Sequence, residues 1–190
     1  MRACKRVINM QKGFAKNWPH EWKVNMSDTK ENLMDAFAGE SQANRKYLAF
    51  AKKADSEGFV KIAMLFRAAA EAETVHAHAH LKACNGVGAT VNNLKAAITG
   101  ETYEFENMYP KMIETAIADE DKVAERSFRF ANEVEKIHAE LYQKALDNID
   151  RSRDVDCYYV CSVCGNTVEN EAPESCPICN AKSRAFTKVE

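Results

Sequence analysis

Hydrophobic residues recur every three or four positions between about residues 29 and 150, which is the period of an amphipathic α-helix. Breaks fall at Gly58 and at Gly86-Val87-Gly88. The pattern predicts four long helical segments, near 29–56, 59–84, 91–118 and 120–150. Short connections at Gly58 and Asp119 favour antiparallel neighbours. Pro110 lies inside the third segment, where we expect it to kink the helix or shift its hydrogen bonding after Tyr109.

The pattern changes after about residue 150. Short extended stretches, two Cys-x-x-Cys pairs and two prolines replace the helical period. Because so short a segment buries too little apolar surface to fold alone, it needs a metal held by its cysteines. We therefore predict an all-α four-helix bundle followed by a small β domain with metal-binding knuckles. The predicted boundaries are a basic N-terminal extension at 1–28, the bundle at 29–150 and the small domain at 151–190.

One face of each predicted helix is apolar except near its middle. Five glutamates at matching depth would repel one another inside a bundle and would lose their hydration, so a positive group must lie among them. Two histidines accompany them. These residues are Glu40 in the first segment, Glu73 and His76 in the second, Glu101 and Glu104 in the third, and Glu135 and His138 in the fourth.

A single Glu-x-x-His on a helix is usually a solvated surface pair. Here two such motifs occur in corresponding segments, and the other two helices carry acids at the same depth, which favours a metal site. Two irons would carry +4 to +6, which brackets the −5 of the five glutamates. A Glu from each of two helices, with Glu-x-x-His from each of the other two, is the ligand set of ferritin-like di-iron and di-manganese bundles.

Five of the seven cysteines lie in the C-terminal segment. Cys161-x-x-Cys164 and Cys176-x-x-Cys179 have the spacing in which two tight loops present thiolates to one tetrahedral metal. Gly165 and Asn180 follow these pairs, at positions where we expect a positive φ. Four thiolates accept zinc or iron, so the spacing leaves both open. The remaining cysteines are predicted to be thiols outside the site: Cys4, Cys84 and Cys157.

With 46% hydrophobic and 28% charged residues, the composition is that of a soluble globular protein. The net charge of −2 offers no basic field for nucleic acid, and no apolar run approaches the roughly 18 residues of a membrane span. Residues 1–25 are basic, and we favour a region upstream of a start at Met26 over a targeting presequence. Lacking a secretory segment, the chain is expected in the reducing cytoplasm, where paired cysteines hold metals.

The chain resembles the rubrerythrin family from about residue 29 to residue 190. The resemblance implies a ferritin-like bundle with a rubredoxin-like C-terminal domain. It also implies two non-haem irons in the bundle and, resolving the choice of metal, one iron held by Cys161, Cys164, Cys176 and Cys179. The bundle motifs that carry it are Ala38-Gly39-Glu40-Ser41-Gln42, Glu73-x-x-His76, Gly100-Glu101-x-x-Glu104, Met108-Tyr109-Pro110 and Glu135-x-x-His138.

The resemblance implies roles for individual residues. Glu104 would be an additional carboxylate that exchanges with His76 when the irons change oxidation state. Tyr47 and Tyr109 match family tyrosines near the site and would hydrogen-bond its carboxylates. The remaining iron ligands would be two bridging glutamates, Glu73 and Glu135, two terminal glutamates, Glu40 and Glu101, and the imidazole of His138.

The implied activity is that of a peroxidase that reduces hydrogen peroxide to water under oxidative stress. It would act as a homodimer, with an external rubredoxin or reductase as electron donor. A ferritin-like iron store or ferroxidase is the alternative, because ferritins use nearly the same bundle. A zinc ribbon that docks partners is a further alternative for the small domain. The chain departs from the family in its basic extension, in Asn180 and in the additional Cys157.

Overall fold

A computed structural model describes residues 28–149 and 155–190. The basic extension, with Cys4, and the junction at 150–154 lie outside the described residues. The chain divides into two compact units, Met1–Val87 and Gly88–Glu190. Among the residues described, no helix combines the length and apolarity that crossing a membrane requires.

The first unit contains a helical hairpin. Helix α1 spans Asp28–Ser56 and helix α2 spans Val60–Ala83. The turn between them includes Gly58 at φ +82°, a conformation that glycine adopts without a Cβ penalty. Small buried residues line the interface of the two helices, which lets their backbones approach closely: Ala51, Ala54, Ala63, Ala70 and Ala77.

One polar side chain is buried between α1 and α2. Asn44 is 6% exposed, and its amide nitrogen donates to the Ala70 carbonyl at 2.7 Å and to Thr74 Oγ1 at 2.8 Å. A buried amide without partners costs about 1–3 kcal/mol, so these bonds favour one alignment of the two helices. That alignment places Glu40, one turn before Asn44, beside Glu73.

The second unit begins with the third helical segment. Helix α3 spans Thr90–Tyr103 and helix α4 spans Tyr109–Ala118, and both lie against helix α5, Lys122–Asp147. Asp121 caps α5, because its carboxylate accepts bonds from the backbone N–H groups of residues 123 and 124 at 3.1 and 2.9 Å. The four predicted helical segments are thus confirmed, with ends shifted by a few residues.

The third segment is interrupted by a π-helical turn at Glu104–Met108. The Tyr109 N–H donates to the carbonyl of Glu104, five residues earlier. Pro110 has no N–H to offer the carbonyl four residues before it, which favours the wider turn. The expected shift of hydrogen bonding is confirmed, but it lies before Tyr109 rather than after it, because the proline disturbs the turn that precedes it.

The small domain is a three-stranded antiparallel sheet of order β2-β1-β3. Strand β1 is Tyr158–Cys161, β2 is Thr167–Glu169 and β3 is Phe186–Val189. Gly165 and Asn180 have φ of +86° and +61°, which confirms the predicted backbone after each knuckle.

Candidate metal centres

Three predicted ligands meet on the hairpin, and we name them the hairpin cluster: Glu40, Glu73 and His76. One ligand atom from each lies within 4.8 Å of the others. His76 Nδ1 is 3.1 Å from Glu73 Oε2 and 3.9 Å from Glu40 Oε1. A hydrogen bond between the two carboxyl groups raises the pKa of Glu40 and lowers that of Glu73.

Three more predicted ligands meet in the second unit, and we name them the α5 cluster: Glu101, Glu135 and His138. Their ligand atoms also lie within 4.8 Å of one another. His138 Nδ1 is 2.8 Å from Glu135 Oε2. Burial, reinforced by the charge of Glu135, raises the pKa of Glu101 to about 7. The hydrogen bond with Glu135 raises the pKa of His138. Burial and the neighbouring carboxylates thus disfavour the charged form of Glu101, and a bound cation would favour it.

Glu104 and Tyr109, at the two ends of the π-helical turn, are electrostatically part of the α5 cluster. Burial, followed by the charge of Glu135, raises the pKa of Glu104. Burial and the nearby carboxylates raise the pKa of Tyr109 to about 12, so its hydroxyl remains protonated and can donate a hydrogen bond. Tyr47, on α1, packs its ring 6.2 Å from that of Phe66 on α2.

The four predicted cysteine ligands surround one point. The sulfur atoms of Cys161 and Cys179 are 3.7 Å apart, and those of Cys164 and Cys176 are 3.6 Å apart. A tetrahedron of sulfurs about 2.3 Å from a central metal has edges of about 3.8 Å, so the cage has the size that a metal requires. Burial would raise the pKa of Cys176, but the backbone N–H groups of residues 179 and 178 hold its pKa down at about 7.

The other described cysteines lie outside this cage. The Cys157 thiol is buried and donates to the carbonyl of Asn170 at 3.7 Å. The Cys84 thiol is buried beside α2 and donates to the carbonyl of His80 at 3.2 Å. Both have partners of their own, in agreement with their interpretation as thiols outside the site.

One contact at the α5 cluster involves a residue that the sequence did not single out. Thr167 Oγ1, on β2, lies 2.9 Å from His138 Nε2. The two residues are 29 positions apart, and a threonine on a strand has no distinguishing pattern. Spacing could not have identified this contact, which depends on how the small domain packs against α5.

The donor atoms suit the metals that the sequence predicts. Carboxylates with neutral imidazole are ligands of non-haem iron, and a tetrahedron of thiolates accepts iron or zinc. Each of the two carboxylate clusters brings oxygen and nitrogen donors within 4.8 Å of one another, close enough for them to share a metal ion. The predicted iron cofactors therefore fit the side chains present.

Both parts of the chain match known proteins. Residues 31–146 match the family model described as Rubrerythrin, and residues 159–187 match the model described as Rubrerythrin, rubredoxin-like domain. Rubrerythrin-2 of Clostridium acetobutylicum is 38% identical over 174 residues, which cover 83% of this chain and 95% of the relative. Nigerythrin of Nitratidesulfovibrio vulgaris is 35% identical over 201 residues, which cover 98% of this chain and 99% of the relative.

Solved structures of nigerythrin have a similar fold. The partially reduced state and the fully reduced, all-ferrous state each match over the whole of both chains, with 32% identity and TM-scores of 0.53 and 0.51. The predicted fold class is confirmed, with four helical segments and a small three-stranded rubredoxin-like domain at the C-terminus. A di-iron site and an iron bound by four cysteines are the cofactors that fit, and an oxidoreductase is indicated. Because both parts match, in this order and over most of its length, the chain belongs to the rubrerythrin family.

Proposed function

We propose that the protein is a non-haem di-iron peroxidase of the cytoplasm that protects against oxidative stress. It reduces hydrogen peroxide with two electrons and two protons to two molecules of water. The observation that carries this proposal is the combination, in one chain, of two carboxylate–imidazole clusters with a four-cysteine cage whose domain contacts His138.

The proposed iron ligands divide into an oxygen–nitrogen set and a sulfur set. When bound, a pair of irons would polarise both oxygens of peroxide and supply the electrons that break the bond between them. The cage would hold one further iron through Cys161, Cys164, Cys176 and Cys179. The pair would be held by Glu40, Glu73, His76, Glu101, Glu104, Glu135 and His138.

Protons for water formation come from groups beside the α5 cluster. The Tyr109 hydroxyl keeps its proton at neutral pH, since its pKa is about 12, and it can orient a carboxylate or the substrate. Tyr47 is proposed for the same task on the hairpin side. Glu104, whose pKa is raised by burial, can carry a proton as well as bind metal. We assign Glu104, His76, Tyr47 and Tyr109 to the catalytic group.

His76 is suited to exchange with Glu104 as a ligand. Its side chain is 55% exposed, and among the described residues its ion-pair contacts, to Glu73 and Glu40, are both through Nδ1. The ring can therefore rotate without losing a second anchor.

The cysteine cage is proposed as the entry point for electrons. Backbone N–H groups beside Cys176 favour its thiolate, which is the form that binds iron. An iron held by the four cysteines would supply one-electron transfer. An external rubredoxin or reductase would supply these electrons, and a homodimer is the proposed assembly.

The proposal is tested by Cys161→Ser, measured together with metal analysis and an anaerobic peroxide assay on the same preparation. We expect the variant to lose steady peroxide reduction with an external donor, while its pre-reduced di-iron site still consumes peroxide once. Cys157→Ser is the matched control, because this thiol lies in the same domain and has a partner outside the cage. Steady turnover in Cys161→Ser equal to that of the parent would contradict the scheme.

The same preparation distinguishes the peroxidase from a ferritin-like iron store. A store needs a closed shell, so large cages with mineral cores and no peroxide turnover would favour storage. A small oligomer that consumes peroxide continuously favours the enzyme. Thiolate-to-iron absorbance in the visible region would exclude a zinc ribbon.

A further inference from the structure

The small domain contacts α5 through several residues. A Cβ atom built on Gly165 would lie 3.7 Å from Val134 Cγ1 on α5, so the first knuckle packs closely against this helix. Glu169, on β2, forms an ion pair with Lys144 of α5. Between these contacts lies the bond of 2.9 Å between Thr167 Oγ1 and His138 Nε2. Thr167 and Glu169 are two positions apart on a strand, so both face α5.

The hydrogen atoms of this contact can be assigned from the partners of Thr167. The hydroxyl has one proton, and Thr167 Oγ1 donates it to the carbonyl of Gly165 at 3.1 Å. With that proton directed to Gly165, the same oxygen accepts from His138, and we assign the ring proton to Nε2 on this basis. In the neutral ring Nδ1 then carries the lone pair, and this atom lies 2.8 Å from Glu135 Oε2.

Two lone pairs at 2.8 Å repel unless a proton or a metal ion lies between them. The hydroxyl of Thr167 thus leaves Nδ1 available to a metal and holds the plane of the ring toward Glu135. Imidazole ligands of metals commonly donate their second N–H to a fixed acceptor in this way. Here the acceptor belongs to the domain that holds the four cysteines.

We propose that Thr167 is a positioning residue for the iron ligand His138, so that docking of the small domain on α5 completes the ligand geometry of the di-iron site. The inference rests on the assignment of His138 as an iron ligand in the proposed function. The carbonyl of Gly165, which accepts from Thr167, follows Cys164 directly. The peptide of the first knuckle is therefore joined to His138 by two consecutive hydrogen bonds.

The test compares Thr167→Val, Thr167→Ser and Thr187→Val in the full-length protein. Valine keeps the shape of threonine and removes the hydroxyl, whereas serine keeps the hydroxyl. Thr187, on β3, is the matched control, because Thr167 and Thr187 pair with the same residue, Val160, from its two sides. Ferrous iron is titrated anaerobically against a chelator, and Mössbauer spectra of the iron-loaded proteins are recorded.

We expect Thr167→Val to weaken iron binding by the di-iron site about 10-fold, the lower end of the range for partners of metal-bound histidine, and to alter its Mössbauer spectrum. Thr167→Ser should restore both, and Thr187→Val should match the parent. Parental affinity and spectrum in Thr167→Val would overturn the inference. Equal loss in Thr167→Ser would also overturn it, because packing alone would then explain the effect.

These readouts do not depend on peroxide turnover. If the parent reduces no peroxide but Thr167→Val alone weakens iron binding, the proposed function fails and the positioning role stands. If the parent reduces peroxide and all three variants bind iron as the parent does, the positioning role fails and the proposed function stands.

Discussion

The hairpin cluster and the α5 cluster have the same Glu-x-x-His motif but different surroundings. His76 has a side chain 55% exposed, and among the described residues its ion-pair contacts are both through Nδ1, with Glu73 at 3.1 Å and Glu40 at 3.9 Å. His138 has a side chain 27% exposed and is contacted through both ring nitrogens, by Glu135 at 2.8 Å and by Thr167 at 2.9 Å. Within the described residues, the contacts of His138 thus hold both of its ring nitrogens, whereas the ion-pair contacts of His76 hold one.

The difference shows that a ligand motif does not fix the mobility of the ligand. A helix sets the spacing of Glu and His, but only a neighbouring element can hold the outer nitrogen of the ring. In the hairpin the side chain that joins the two helices is Asn44, which donates a hydrogen bond to the backbone of α2 and not to a candidate metal ligand. At the α5 cluster the anchor bonds the ligand itself. A movable His76 and a fixed His138 agree with the exchange proposed for His76 and Glu104.

The largest effect expected from this comparison is a difference between His138→Ala and His76→Ala. Loss of the anchored ring removes a candidate ligand that its neighbours already orient, so we expect iron affinity to fall several-fold further in His138→Ala than in His76→Ala. Chelator competition with ferrous iron measures both. His78→Ala, an exposed position on α2, is the control. An equal or greater loss in His76→Ala would show that the two imidazoles do not differ.

The pH dependence of stability should separate the metal-free and iron-loaded proteins. Glu101 has a pKa of about 7 when folded against an ordinary value of 4.5, so between these values the folded state binds more protons. The stability of the metal-free protein should therefore fall as pH rises from about 4.5 to 7. The raised pKa of His138 changes the stability in the same direction. The stability that it contributes is lost as pH rises through the pKa that His138 has in the folded protein.

Thermal unfolding of the metal-free protein across this range measures the effect. Glu101→Gln should flatten the dependence, and Glu114→Gln, at an exposed position of α4, should leave it unchanged. Bound iron takes the place of the protons, so the stability of the iron-loaded parent should fall less steeply with pH than that of the metal-free protein, or should rise with pH. An unchanged slope in Glu101→Gln would show that the excess negative charge does not reside at this carboxyl.

The smallest expected effect concerns the anchor of the hairpin. Asn44→Ala removes the bonds to the Ala70 carbonyl and to Thr74, and we expect it to lower the free energy of unfolding by about 1–2 kcal/mol. Gln42→Ala, exposed on the same helix, should change it by no more than about 0.5 kcal/mol. Chemical denaturation measures both. If Asn44→Ala lowers the free energy of unfolding no more than Gln42→Ala does, the buried amide does not stabilise the hairpin.

Much of the fold, and the grouping of the candidate ligands, was predictable because both depend on short distances along the chain. The helical period placed Glu73 with His76, and Glu135 with His138, on one face each. The spacing of the two Cys-x-x-Cys pairs predicted the cysteine cage. The residue types of Gly165 and Asn180 predicted the positive φ of the turns that follow each pair. The position of the π-helical turn was predicted less well, because a proline disturbs several carbonyls and the surrounding packing selects which hydrogen bond is given up.

The sequence by itself determined which side chains can bind metal, since each motif is set by a helical turn or a tight loop of a few residues. The tertiary structure decided how firmly each ligand is held. Thr167 is joined to His138 across 29 residues by the packing of a sheet on a helix, and Asn44 is joined to Ala70 across 26 by the pairing of two helices. Such contacts form only when separate elements meet, because no local period relates their positions.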